Sequence, residues 1–169
     1  GGLALGGGQS SSTKWVKSFL SNKTYPPLQN FDIMNYHTYD KKEGITSQYN
    51  LVKSQVGSKP IWITEVGYPS DPAHQQFNRS TYPYPAGEDG QAAYLKDILP
   101  HILSLGAQKV FYYTLVDVPR DGGGGGTFCS YGLLYIPGKQ CLGDGAGRKV
   151  SGELKTKKAY DTYKQLTGQ

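Results

Sequence analysis

Short β-branched and aromatic runs recur along this chain, each followed by a longer stretch with helical spacing. That alternation limits the fold more than any other feature. Ile61-Trp62-Ile63-Thr64, entered through Lys59-Pro60, suits a pleated and largely buried strand. Phe31–Tyr36 and Lys109–Leu115 read the same way, and the opening Gly-Gly-Leu-Ala reads as the end of a further buried strand. Helices are expected over 13–21, 46–55, 90–105 and 153–166. The first presents Trp15, Val16, Phe19 and Leu20 on one face; the second presents Tyr49, Leu51, Val52 and Val56. The third is expected to be capped by Asp89, to bury Ala93, Leu95, Ile98, Ile102 and Leu103, to kink at Pro100 and to end at Gly106. Strand and helix thus alternate at intervals of about 30 to 50 residues, which implies a parallel sheet. Doubly wound and barrel folds both satisfy the pattern.

The chain has 169 residues, enough for one domain with a core. It is short of the roughly 200–250 residues of a complete (β/α)8 barrel. The net charge of +5 is spread over scattered lysines and arginines, whereas a nucleic-acid binder gathers them on one face. No apolar run approaches the ~20 residues of a membrane span. The three histidines, His37, His74 and His101, fall in different elements without ligand spacing, so neither a metal nor an organic cofactor is expected. Tyrosine is abundant, with 14 copies, and its flat apolar face with a polar tip suits sugar rings. Cys129 and Cys141 lie in one Gly-rich region and are expected to form a local disulfide. With the sequons at Asn22 and Asn78 they point to a secreted glycoprotein.

The chemistry gathers at strand ends. Glu65 follows directly on the strongest strand. By alternation Ile61, Ile63 and Glu65 share one side, which in a barrel is the interior. A carboxylate after two inward isoleucines is costly unless it is paired or functional. A strand-end glutamate facing water is the plain alternative. Asn35, His37 and Tyr39 share a side of the preceding strand tip, a polar trio unlike a core.

Asn35–Asp40, Ile61–Ser70 and Phe111–Asp117 resemble the sixth, seventh and eighth strands of clan A glycoside hydrolases, the retaining (β/α)8 enzymes related to cellulases, mannanases and β-xylosidases. Thr64-Glu65-x-Gly67 matches the end of strand seven, where the family's nucleophile stands. His37-x-Tyr39 matches strand six, where the tyrosine hydrogen-bonds the nucleophile and the histidine meets substrate. The family's strand-eight tryptophan is replaced, with Tyr112 at the expected position. Tyr131-Gly132-Leu133-Leu134 and Lys157-Lys158-Ala159-Tyr160 resemble the tail leading into the eighth helix, and Gly1–Ala4 the end of strand five.

The resemblance implies an α/β fold, the C-terminal half of a (β/α)8 TIM barrel from the end of strand five through helix eight, covering residues 1–169. It implies Glu65 as nucleophile with Tyr39 beside it as the catalytic pair. His37, Asn35, Tyr112 and Tyr68 are expected to meet an oligo- or polysaccharide, with the loop over 70–88 as a rim. The family's acid/base glutamate, commonly after Asn, ends strand four; no Asn-Glu dipeptide occurs here. The N-terminal half of the same barrel is therefore expected as a partner that supplies it. Two other readings stay open: a catalytically inactive carbohydrate-binding or structural barrel, and an unrelated α/β domain with a chance Thr-Glu-x-Gly.

Overall fold

The structure, a computed structural model, describes residues 3–4, 11–71, 82–117, 129–137 and 152–168. The chain forms two compact units, one of Gly1–Val66 with Ile98–Tyr112 and the other of Gly67–Asp97 with Tyr113–Gln169.

The first unit holds a four-stranded sheet of β1 (Leu3–Ala4), β2 (Met34–His37), β3 (Ile61–Val66) and β4 (Lys109–Tyr112). All three pairings are parallel. Spatial order follows chain order, β1-β2-β3-β4. A doubly wound sheet reverses its order at a switch point, whereas a barrel does not. The order is that of half a (β/α)8 barrel, and the expected adjacency of the three strands beginning near 31, 59 and 108 is observed.

Helices α1 (Ser11–Leu20), α2 (Lys42–Val56) and α3 (Gly87–Ser104) supply the crossovers, with a 3-10 turn at Pro27–Gln29. Helix α2 is longer at its start than its apolar spacing indicates. Its buried stripe is Ile45, Gln48, Tyr49, Val52 and Val56, and Leu51 lies off it. One face of the sheet is buried on its central strands, through Met34 and Tyr36 on β2 and Ile61 and Ile63 on β3. Tyr49 of α2 packs towards this face. Burial, reinforced by Tyr49, pushes the Tyr36 phenol well above its ordinary range.

Strand β3 carries one more residue than its neighbours. Tyr36 pairs with Ile63, but His37 pairs with Glu65; on the other side Val110 pairs with Ile63 and Tyr112 with Val66. Both ladders place the extra residue at Thr64–Glu65. The expectation that Ile61, Ile63 and Glu65 share a side is therefore corrected. Tyr36 and His37 alternate on a regular strand, so Ile63 goes with buried Tyr36 and Glu65 goes with His37 on the opposite face. The face shared by Asn35 and His37 also carries Trp62, whose indole N–H donates to Gln108 and whose ring lies beneath the Lys109 ammonium at 4.5 Å.

In the second unit, β5 (Leu134–Tyr135) and β6 (Lys155–Thr156) pair antiparallel, and α4 spans Lys158–Thr167. The last helix thus starts later than its sequence suggests, because Lys155 and Thr156 are extended against β5. Helix α3 begins at Gly87, so Asp89 lies in its first turn rather than capping it, where its charge suits the helix dipole. Leu95, Ile98 and Ile102 are buried as expected, while Leu103 is 53% exposed. Tyr68 stacks on Tyr94 at 5.0 Å, and Tyr84 meets both edge-on. The Lys157 ammonium is fully buried and donates to Asp117 Oδ1 at 2.6 Å, the Ser70 hydroxyl at 2.9 Å and the Ser130 carbonyl at 3.2 Å. Burial pulls this lysine below its ordinary range, against the pull of Asp117. Among the described residues no helix is long and apolar enough to cross a membrane.

Candidate active site

The tip of β2 and the end of β3 bring three of the expected residues together in the first unit. The Tyr39 hydroxyl donates to Glu65 Oε2 at 2.5 Å, the length of a charge-assisted bond. His37 Nδ1 lies 3.3 Å from the same oxygen, with the two side chains 20% and 32% exposed. The parallel ladder continues past β2, where the Thr38 amide donates to the Glu65 carbonyl at 2.9 Å. The Thr64 hydroxyl donates to the Tyr36 carbonyl at 3.3 Å. Backbone and side-chain bonds therefore fix Glu65 against β2 from both ends of the residue.

Among the described residues, both side-chain contacts of Glu65 fall on Oε2. No lysine or arginine pairs with it among those residues. The carboxylate is held by a hydroxyl and an imidazole and stays partly open to solvent. Such a group keeps an oxygen available for bond formation, which a fully neutralised buried carboxylate does not. Among the described residues no cluster of His, Cys, Asp and Glu is arranged to hold a metal ion.

Asn35 lies on the same face as His37, directly opposite Trp62 in the ladder. Tyr112 departs from the sequence expectation. Its register partner is Val66, so strand alternation sets it on the side of Ile63 and Val66, away from Glu65. Phe111, 45% exposed and 6.2 Å from the Trp62 ring, lies on the other side of β4. Tyr68 is also corrected: only 5% of it is exposed, and its ring is enclosed by Tyr84 and Tyr94, which leaves no flat face for a sugar. Gly67 of the Thr-Glu-x-Gly motif has a steric reason, since a Cβ there would overlap the Tyr113 carbonyl oxygen. Cys129 is buried, while Cys141, most of the 70–88 loop and the glycine run over 122–126 lie outside the described residues.

Sequence reasoning missed Gln48. Its amide nitrogen donates to Asp40 Oδ2 at 3.3 Å, and its carbonyl accepts the Thr38 hydroxyl at 2.6 Å. The signal was available, because Gln48 is a polar residue on the apolar stripe of α2. The buried Lys157–Asp117 pair was missed as well, and its partners are 40 residues apart with no local pattern linking them.

Four similarities to known proteins bear on this site. The family model described as "Glycosyl hydrolase catalytic core" matches residues 3–119, which include Asn35, His37, Tyr39, Glu65 and Tyr112. A β-1,3-glucanosyltransferase from Rhizomucor miehei, solved as an active-site mutant with laminaritriose, is similar at a TM-score of 0.52 and 18% identity, over 83% of this chain and 56% of its own. The glycoside hydrolase family 17 enzyme of the same name and organism aligns at a TM-score of 0.51 and 19% identity, over 79% of this chain and 59% of its own. A family 1 β-glucosidase from Thermotoga maritima aligns at a TM-score of 0.57 and 13% identity, over 96% of this chain and 41% of its own. This chain therefore spans between about two fifths and three fifths of these structures. No curated protein matches. The identities show the shared barrel fold, and the family match over more than half of its length makes this chain a member of the glycosyl hydrolase catalytic core family.

Proposed function

We propose that the protein is a retaining glycoside hydrolase acting on β-linked glycans, with Glu65 as its nucleophile. The observation that carries this reading is the convergence of Tyr39 and His37 on one oxygen of Glu65. Donation from the hydroxyl holds one oxygen of the carboxylate in place and leaves the other to attack. With Oε2 held, Oε1 attacks the anomeric carbon and the bond to the leaving oxygen breaks. A second carboxyl group, about 5–5.5 Å away, protonates that oxygen and later activates the water that releases the sugar. We assign that second group to the N-terminal half of the barrel, in keeping with the greater length of the structural neighbours. His37 and Asn35 contact the sugar. The glucanosyltransferase and glucosidase neighbours make β-linked glucans the first substrates to try. The reading extends to a secreted glycoprotein with a Cys129–Cys141 disulfide.

The test is hydrolysis of a panel of β-linked glycans by the intact protein and by Glu65→Gln. The expected result is cleavage by wild type and a loss of several thousand-fold or more in the variant, with substrate binding retained. A variant that keeps most of the activity removes Glu65 from the role. A wild type that binds glycans and cleaves none supports a non-catalytic barrel instead.

A further inference from the structure

The geometry points to Gln48 as a positioning residue that sets the hydrogen bond between Tyr39 and Glu65. This rests on the assignment of Glu65 as nucleophile. Alternation divides the tip of β2 between two masters. His37 and Tyr39 turn to Glu65. Thr38 and Asp40, the residues on either side of Tyr39, turn to Gln48. Gln48 uses both ends of its amide, accepting from the Thr38 hydroxyl at 2.6 Å and donating to Asp40 Oδ2 at 3.3 Å. Thr38 is fully buried and Gln48 is 9% exposed, so water does not readily replace these bonds.

Asp40 is seated by the same helix at a second point. Gly44 lies one turn before Gln48, and a Cβ at that position would overlap the Asp40 carboxyl group. The other Asp40 oxygen accepts the Lys41 amide at 2.8 Å, tying it to the start of α2. Tyr39 is thus clamped between two residues whose side chains are fixed to one helix. A hydroxyl at 2.5 Å from its acceptor tolerates little rotation of the residue that carries it. Gln48 touches neither Glu65 nor, in the proposed reaction, the sugar; it acts through Tyr39.

A kinetic double-mutant cycle on the intact protein tests this, using the best-cleaved glycan of the panel above. Gln48→Leu lowers kcat about three- to ten-fold with KM within about two-fold. In a Tyr39→Phe background the same change lowers kcat by less than about two-fold, because the bond it positions is already gone. Thr38→Val, which keeps side-chain shape and removes the hydroxyl, repeats the effect at smaller size and carries the test if Gln48→Leu does not fold. Full kcat in folded Gln48→Leu, or equal effects in the two backgrounds, overturns the inference. Glu65→Gln run in parallel separates the failures: an active Glu65→Gln removes the nucleophile and this inference with it. An inactive Glu65→Gln with an additive cycle removes this inference alone.

Discussion

Glu65 near the end of β3 and Asp117 beyond the end of β4 are both carboxylates, and the protein treats them in opposite ways. Asp117 is 3% exposed at its side chain and is met by a buried ammonium and a backbone amide on the same oxygen, from Lys157 and Gly132. Glu65 is 32% exposed and is met by a hydroxyl and an imidazole. A formal cation in a low-dielectric setting fixes a carboxylate and satisfies its charge. A hydroxyl donor orients a carboxylate without cancelling its charge. The first arrangement suits holding chain segments together; the second suits attack on an electrophile. Two substitutions separate these roles by the quantity each one moves.

Glu65→Gln has the largest expected effect, and it falls on activity alone. Turnover drops by several thousand-fold or more. Stability in urea changes by less than about 1 kcal/mol, since the site is partly open and the amide still accepts from Tyr39. A stability loss above 3 kcal/mol with turnover retained would put Glu65 in the class of Asp117. Lys157→Met comes next and reverses the pattern. It leaves Asp117 charged and buried without its cation, a loss of about 3–5 kcal/mol. Adding Asp117→Asn recovers part of that loss, and activity per folded molecule stays within a few-fold. A Lys157→Met protein as stable as wild type would show that Asp117 finds its stabilisation elsewhere.

The site was more legible in the sequence than the ladder that builds it. Glu65, Tyr39 and His37 were readable because their order and spacing match a known pattern, and all three converge in space. Tyr112 was placed by matching the family's strand-eight tryptophan, and its side follows from the register of β4 on β3. The side of Glu65 was misjudged because counting by twos along β3 assumes a regular strand. The extra residue at Thr64–Glu65 reverses sides, and a single apolar strand carries no mark of it. Tyr68 failed for a different reason: a tyrosine reads alike whether its ring is stacked in a cluster or open. The run over 110–115 is β-branched, aromatic or leucine throughout, yet β4 stops at Tyr112, and Val116 bridges instead to Leu134 of β5. Pairing with distant residues decides such limits, and local propensity does not register it.

A smaller effect is expected at the cysteines. Cys129 sits buried in the unit that holds the Lys157 pair. Its proposed bond to Cys141 closes a loop of about a dozen residues, and in the chain-entropy model such a closure contributes roughly 3 kcal/mol or less. Cys141→Ser lowers the urea midpoint accordingly, and both cysteines of the oxidised wild type resist alkylation after unfolding without reductant. Alkylation of both under those conditions removes the disulfide.

The smallest effect belongs to Tyr36, which sharpens the contrast within a single strand tip. Tyr36 and Tyr39 turn to opposite faces, and Tyr39→Phe removes a 2.5 Å bond to the proposed nucleophile, so turnover falls about ten-fold. The Tyr36 hydroxyl is fully buried and has no hydrogen-bond partner among the described residues. A buried hydroxyl without a partner carries a desolvation cost of about 1–3 kcal/mol that folding does not recover. Tyr36→Phe removes that cost and keeps the ring, at the expense of a small void beside Tyr49. The two terms nearly cancel, so the midpoint of unfolding stays level or rises by the equivalent of up to about 1 kcal/mol. Turnover is unchanged, because the residue faces away from Glu65. Urea melts of the two variants side by side, with kcat from the same preparations, decide the matter. A Tyr36→Phe protein that loses more than about 1 kcal/mol has lost a real hydrogen bond, to an ordered water or a residue outside the described set. The buried face of the sheet would then be polar at its centre, and its contrast with the Glu65 face would rest on charge alone.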